Sequence, residues 1–262
     1  MAVSPAMEHA NLRNDLLCAL DVATYDQLAP FLSPVAFERG DVFYEPGQPI
    51  DGIYFPHSGV VSLLSVMADG SAIETSTIGR ESAVGVMAGL TPIAAFSRIV
   101  GQSAGVASKI DAARLRALTQ ASPLLRDVML RHCDALLANA QQSVACNALH
   151  DVEERFCRWL LTCHDRTSND ELSLTQEFLA MMLGVQRTTV SQVAGMLQEA
   201  GLIRYQRGRM TIVDRPGLER RACECYHRVR DHAAQVLPPS PAADGPCISL
   251  EAADERTDQA KV

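Results

Sequence analysis

Leu174-Thr175-Gln176-Glu177-Phe178-Leu179-Ala180-Met181-Met182-Leu183-Gly184-Val185-Gln186-Arg187-Thr188-Thr189-Val190-Ser191-Gln192-Val193 carries the spacing of two short helices. Thr175 offers the side-chain oxygen that caps a helix start. Leu179, Met182 and Leu183 fall on one helical face, and Ala180 is small where two helices cross closely. Gly184 supplies the positive φ that a tight interhelical turn needs. A second helix from Arg187 to Ala200 buries Val190, Val193, Ala194 and Leu197 and stops at Gly201. Two helices joined by a short glycine turn predict a helix-turn-helix.

The second of these helices leaves Gln186, Arg187, Thr188, Ser191 and Gln192 exposed along its N-terminal half. In such motifs that half enters the DNA major groove. Arginine reads guanine, and glutamine reads adenine, through paired hydrogen bonds. Leu202–Tyr205 and Met210–Val213 read as two strands around the turn Gln206-Arg207-Gly208-Arg209, which makes a β-wing. Arg207, Arg209, Thr189 and Thr175 are the candidates for phosphate contacts. The competing reading is a winged helix that no longer reads DNA and serves ligand or protein contacts.

Charge supports the first reading once it is divided along the chain. The net charge of the 262 residues is -8. Residues 1–171 carry 12 basic and 20 acidic side chains, whereas residues 172–236 carry nine arginines and six acidic groups. A local positive surface is what phosphate contact requires.

Upstream, residues 35–111 are punctuated by glycines, including Gly40, Gly59, Gly85 and Gly105, between short β-rich runs such as Ile53–Phe55, Val60–Val66 and Ala72–Ile78. Such spacing predicts a compact β-roll, with Pro56 at an edge or bulge. Residues 1–34 read as a helical lead-in. Residues 112–148 read as a long helix entered at Ser122-Pro123. On that helix Leu125, Met129, His132, Leu136, Asn139, Ser143 and Cys146 follow a four-three spacing, with Leu124, Val128 and Ala135 beside them. Two stripes suit packing on the chain's own domain and on a partner helix, and the first six residues are the expected homodimer interface. A helix buried within a monomer is the alternative. A further helix is expected over Leu149–Cys163, within a winged unit of residues 149–236. Residues 237–262 are rich in Pro, Ala, Asp and Glu and read as a disordered acidic tail. The fold class is therefore α+β: an N-terminal β-roll, a long dimerisation helix and a C-terminal winged helix-turn-helix.

Other functions find little footing. With 47% hydrophobic and 21% charged residues the composition is globular. No basic region followed by an apolar core marks the N-terminus as a secretory signal, and no membrane span is expected. The eight cysteines then read as reduced thiols of a cytoplasmic protein. There is no Gly-x-Ser-x-Gly elbow, no phosphate-cradling glycine loop with lysine and no His-Glu-x-x-His pair, so no enzyme activity is expected. Cys223-Glu224-Cys225 suggests a metal motif, but helical residues two apart diverge by about 200°, so the pair is assigned to packing and no metal site is expected. His57, after a roll proline, is assigned to a turn.

The order of roll, long helix and winged helix-turn-helix resembles the Crp/Fnr superfamily of bacterial transcription regulators. In the roll the resemblance lies in Arg39-Gly40-Asp41, Pro46-Gly47 and Ile53 to Val61. In the C-terminal half it lies in Leu174-Thr175-Gln176-Glu177, Leu183-Gly184-Val185, Arg187-Thr188-Thr189-Val190-Ser191 and Arg207-Gly208-Arg209. The resemblance implies a regulator that binds double-stranded DNA as a homodimer and, where it activates, meets RNA polymerase. It also implies an effector pocket around Gly85, Val86, Met87, Ala95, Phe96, Arg98, Ala140 and Gln141. Members that bind cyclic AMP have Gly-Glu-Leu where Gly85-Val86-Met87 stands here. They have an Arg-Ser or Arg-Thr pair where this chain has Ala95-Phe96, or Ser97-Arg98 with a shifted gap. A buried phosphate without a cation is costly, so cyclic AMP is not the expected effector, and a cyclic-nucleotide-responsive regulator of the same family is the alternative. Cys18 alone represents the closely spaced N-terminal cysteines of the redox-sensing branch, so no iron–sulfur cofactor of that kind is expected. Members that read TGTGA half-sites show Arg-Glu-Thr-Val-x-Arg. Here Thr188 and Gln192 replace the Glu and the second Arg, which implies a different operator.

Overall fold

The computed structural model describes residues 13–167 and 169–237. The expected acidic tail lies outside the described residues apart from Leu237. The lead-in forms two short helices, α1 (Asp15–Cys18) and α2 (Val22–Leu28), capped by the side chains of Asn14 and Asp21. Seven strands follow: β1 (Ser33–Phe37), β2 (Val42–Tyr44), β3 (Gly52–Pro56), β4 (Val61–Val66), β5 (Ala72–Ile78), β6 (Arg98–Gly101) and β7 (Gly105–Asp111). They make two antiparallel sheets, ordered β1-β7-β3 and β2-β6-β4-β5. Pro56 closes β3, an edge strand, where its missing N–H costs no central ladder bond. Phe37, Tyr44, Ile53, Phe55 and Ile110 share one core with Leu115 and Met129 of the following helices. The backbone closes tightly at Gly105, where a Cβ would stand 2.2 Å from the Ser58 carbonyl oxygen and 2.7 Å from the Phe37 ring.

Helices α3 (Ala112–Ala121) and α4 (Pro123–Leu149) come next, separated at Ser122, whose hydroxyl oxygen accepts the Leu125 N–H. The expected dimer stripe on α4 is largely spent inside the chain. Leu125, Met129 and His132 are buried, His132 is hydrogen bonded to Ser82, and Leu136 packs on the roll core. Asn139 donates to Ser76 of β5. The side of α4 left to solvent carries Leu130, Leu137 and Val144, which are 49%, 57% and 73% exposed.

Helix α5 (Val152–Arg166) starts at a capping box made by Asp151 and Glu154, a turn later than the expected Leu149. Then come β8 (Glu171–Ser173), α6 (Gln176–Leu183), α7 (Arg187–Glu199), β9 (Ile203–Gln206), β10 (Arg209–Ile212), α8 (Arg215–Arg221) and α9 (Cys225–Val236). Phe156, Leu160, Leu161, Leu179, Val190, Leu197 and Met210 build a second core, joined by Leu64 of β4. The winged unit is therefore docked on the four-stranded sheet of the roll. Arg166 pairs with Glu81 at 2.7 Å, and Gly184 lies against Ile73.

At this junction the Glu74 carboxylate accepts hydrogen bonds from Ser62 Oγ at 2.6 Å and from Trp159 Nε1 at 2.8 Å. Burial pushes its pKa up to about 7, against the opposing pull of those two hydrogen bonds and of Arg166. A folded pKa above the unfolded one means that the native state holds the proton more tightly. Stability from this group is complete below about pH 4.3 and is lost as pH rises toward 7. Glu74→Gln should remove that slope. In urea melts at pH 5 and pH 8, wild type should lose on the order of 3 kcal/mol relative to the variant between the two conditions.

Cys223 and Cys225 do not diverge as expected. Cys223 precedes the helix and only Cys225 is helical, so the rule for residues two apart on one helix does not apply. The two thiols instead meet Cys146 of α4 in a small buried cluster. There the contact between the Cys146 and Cys223 sulfurs favours ionisation of one thiol, drawing the Cys146 pKa below the usual thiol range.

Candidate nucleic-acid interface

Thr175 caps α6 by accepting the Phe178 N–H at 3.2 Å, and its hydroxyl still has a proton to donate. Leu179, Met182 and Leu183 are buried, and Gly184 ends the helix at φ +63°. The Arg155 guanidinium donates to the carbonyl of Leu183, which closes the last turn against α5. Helix α7 then buries Val190, Val193, Ala194 and Leu197. Those four positions turn Gln186, Arg187, Thr188, Ser191 and Gln192 to solvent, and all five are exposed. Thr189 is half-buried between them. The Ser191 hydroxyl donates to the Arg187 carbonyl, one turn back.

Arg187 is aimed from the first helix. Its Nε donates to Gln176 Oε1 at 3.0 Å, and its Nη1 stands 2.6 Å from Glu177 Oε1. Both charged side chains are 63% exposed. Such a pair is worth about 0–1 kcal/mol, so the guanidinium can leave it at small cost. The sequence reading did not assign this positioning role to Gln176 and Glu177.

The wing is tighter than the sequence suggested. Strands β9 and β10 pair from Ile203–Ile212 to Gln206–Arg209, leaving a two-residue turn of Arg207 and Gly208. Both have positive φ, +51° and +76°. Two such residues make the turn that matches strand twist in hairpins, although arginine adopts this conformation less readily than Asn or Gly. The turn puts the exposed Arg207 at the tip, beside Arg209, which stands 3.4 Å from Glu171. Strand β8, missed in the sequence, pairs with β10 and makes the wing three-stranded. A third wing cation was also missed. Arg204 is exposed on β9, next to the buried Ile203, and the period-two alternation of this strand is its signal. Other arginines of the basic segment are engaged within the fold. Arg215 is held by Asp165 at 2.6 Å and by Tyr226 at 2.7 Å, and Arg221 pairs with Glu153 at 2.5 Å.

The expected effector residues are scattered more than gathered. Gly85 adopts φ +76° beside Ile50, and Val86 and Ala95 are buried in the roll. Met87 and Phe96 are 44% and 91% exposed. Arg98 is engaged on the exposed surface of the roll, where Glu45 accepts hydrogen bonds from its Nε and Nη2 at 2.8–3.1 Å. Gln141 is exposed on α4, with Ala140 half-buried beside it. A cavity of about 360 Å³ opens elsewhere, between α4, α5 and α9, lined among others by Arg80, Asn139, Asp165 and Tyr226. His57 hydrogen bonds Ser108 Oγ at 2.8 Å, and burial lowers its pKa to about 4. Among the described residues no helix is long and apolar enough to cross a membrane.

Comparison with known proteins agrees with this geometry. The family model for the Crp-like helix-turn-helix domain matches residues 154–221, and that for the cyclic nucleotide-binding domain matches residues 34–122. The chain is 25% identical over 223 residues to the CRP-like cAMP-activated global transcriptional regulator of Mycobacterium tuberculosis, covering 82% of this chain and 100% of that protein. It is 26% identical over 185 residues to the global nitrogen regulator of Synechococcus elongatus, covering 67% of this chain and 83% of that one. The structure of FixK2 from Bradyrhizobium japonicum shares the fold, with a TM-score of 0.65 at 14% identity over 73% of this chain and 98% of that one.

Proposed function

The chain belongs to the Crp/Fnr superfamily of DNA-binding transcription regulators, and from that premise we propose that it binds a near-palindromic operator as a homodimer. The observation that carries this reading is the exposed row Gln186, Arg187, Thr188, Ser191 and Gln192 beside a cationic wing. Arg187 reads a guanine, and Gln186, Thr188, Ser191 and Gln192 read its neighbours. Thr175, Thr189, Arg204, Arg207 and Arg209 hold phosphates. Leu130, Leu137 and Val144 supply the dimer seam. They recur every seven residues, as a coiled-coil contact does, on the side of α4 that its own roll leaves uncovered. Two copies so joined set their recognition helices about 34 Å apart.

The roll senses an effector other than cyclic AMP, through a site bordered by Gly85, Val86 and Ala95. The engagement of Arg98 with Glu45 supports this, as does the lack of a carboxylate in Gly85-Val86-Met87. As an activator the dimer would recruit RNA polymerase.

Removing the two tip charges tests the wing. In Arg207→Asn/Arg209→Gln the asparagine tolerates the left-handed turn, so the hairpin survives. Each cation withdrawn from a phosphate lowers the slope of log K against log[salt] by about 0.9. With two cations in each of two subunits the slope should fall by about 3.6, with the preferred sequence unchanged. An unchanged slope would mean that the wing does not touch the backbone.

A further inference from the structure

We propose that Cys146, His150, Cys223 and Cys225 form a binding site for one tetrahedral zinc(II)-type ion that fastens the start of α9 to the end of α4. Cys146 lies in the last turn of α4 and His150 caps its C-terminus, where the His150 N–H donates to the Cys146 carbonyl at 3.1 Å and holds the two residues one turn apart. Cys223 and Cys225 flank the first turn of α9, one before the helix and one within it. Cys146 Sγ stands 3.5 Å from Cys223 Sγ, and Cys225 Sγ stands 3.5 Å from His150 Nδ1. The four ligand atoms all lie within 4.8 Å of one another. With zinc–sulfur bonds of about 2.3 Å, a tetrahedron has sulfur–sulfur edges of about 3.8 Å, close to the observed separations. A four-iron cluster would need its cysteine sulfurs spread around a cube, farther apart than these are.

The surroundings have the form of a metal site. A ligating histidine usually gives its other ring nitrogen to a carboxylate, which fixes the ring. Here His150 Nε2 is 3.1 Å from Glu224 Oε2, leaving Nδ1 turned to the thiols. Gln142, one turn before Cys146, donates to Cys225 Sγ at 2.9 Å. Three thiolates and one dication leave a net charge of -1, and the cation of Arg158 on α5 acts on Cys146. Soft sulfur with one imidazole favours zinc(II) over magnesium or calcium.

The site lies where α4 gives way to the winged unit. His150 ends α4, and Asp151 caps α5, which opens the winged unit. Helix α9 runs back along α4, where His232 pairs with Asp134 at 2.9 Å and Arg131 donates to the Val236 carbonyl. An ion here fixes one end of that contact.

The test is a cobalt(II) titration of the full chain, stripped by chelator and fully reduced without oxygen. One cobalt(II) per chain is expected, with the intense visible bands and near-ultraviolet thiolate charge transfer of a tetrahedral site. One equivalent of zinc(II) should abolish them. Glu224→Gln should keep the stoichiometry and weaken binding about 10- to 100-fold. Cys146→Ser/Cys223→Ser should lose the charge-transfer band, whereas Cys133→Ser should keep it. Two results would overturn the proposal: no uptake by reduced wild type, or a weak six-coordinate spectrum. Wild type and Glu224→Gln decide the question even where the double variant does not fold.

Discussion

Arg187→Ala should weaken operator binding by about 2–6 kcal/mol per dimer, which is about 30-fold to more than 10⁴-fold. One bidentate arginine–guanine contact is worth about 1–3 kcal/mol, and a two-fold dimer makes two of them. In the free protein Gln176 and Glu177 occupy the guanidinium, but the ion pair is too exposed to compete strongly. The loss should be confined to specific DNA. Binding of the purified protein to its own upstream DNA, measured over a salt series beside the variant, separates base reading from charge. A parallel salt dependence with a lower affinity is the signature of a base contact. Equal affinities would remove Arg187 from the reading set. If wild type showed no specific binding, cyclic nucleotides and reductants would be added next.

The second large effect lies far from DNA. Gly105→Ala should destabilise the roll by about 3 kcal/mol, because the new methyl would stand 2.2 Å from a carbonyl oxygen rather than against a movable side-chain tip. Neither β7 nor the Ser58 turn yields easily. Val106 N–H donates to Ser58 Oγ, and its carbonyl accepts the His57 and Ser58 N–H groups. Gly195 on α7 is the control: its Cβ would meet nothing within 4 Å, so Gly195→Ala should gain about 0.5–1 kcal/mol. Thermal melts of the two variants should move in opposite directions. A shared sign would show that backbone approach does not limit position 105.

The helix-turn-helix was legible because everything that defines it is local. Thr175, Gly184 and Gly201 punctuate it, and the apolar spacing between them leaves one register. The misassigned face of α4 has a different cause. This helix has apolar residues on opposite sides, and periodicity reports that they exist without reporting which side meets the chain's own roll. Met129 and Leu130 are neighbours in sequence, yet one is fully buried and the other 49% exposed. The cysteine cluster failed at a boundary. A start of α9 at Cys225, with Cys223 still outside the helix, turns two divergent thiols into a convergent pair. Strand β8 is three residues long with only Leu172 buried, and its partner Met210 lies in a strand that follows both helices of the motif. Arg98 looked available for an anion because the Glu45 that engages it lies 53 positions earlier.

Helix α4 has 27 residues, so it is a rod about 40 Å long. Such a rod acts as a lever. Tilting it by about 5° carries its far end about 3.5 Å, close to the spacing of adjacent bases along a DNA strand. The roll grips the first half of this lever and the winged unit begins where it ends. In the proposed dimer, a displacement of a few ångströms between the two half-site readers would take both out of step with the operator. In that dimer, control of transcription would therefore ask for a small change of angle and no rebuilding of either domain.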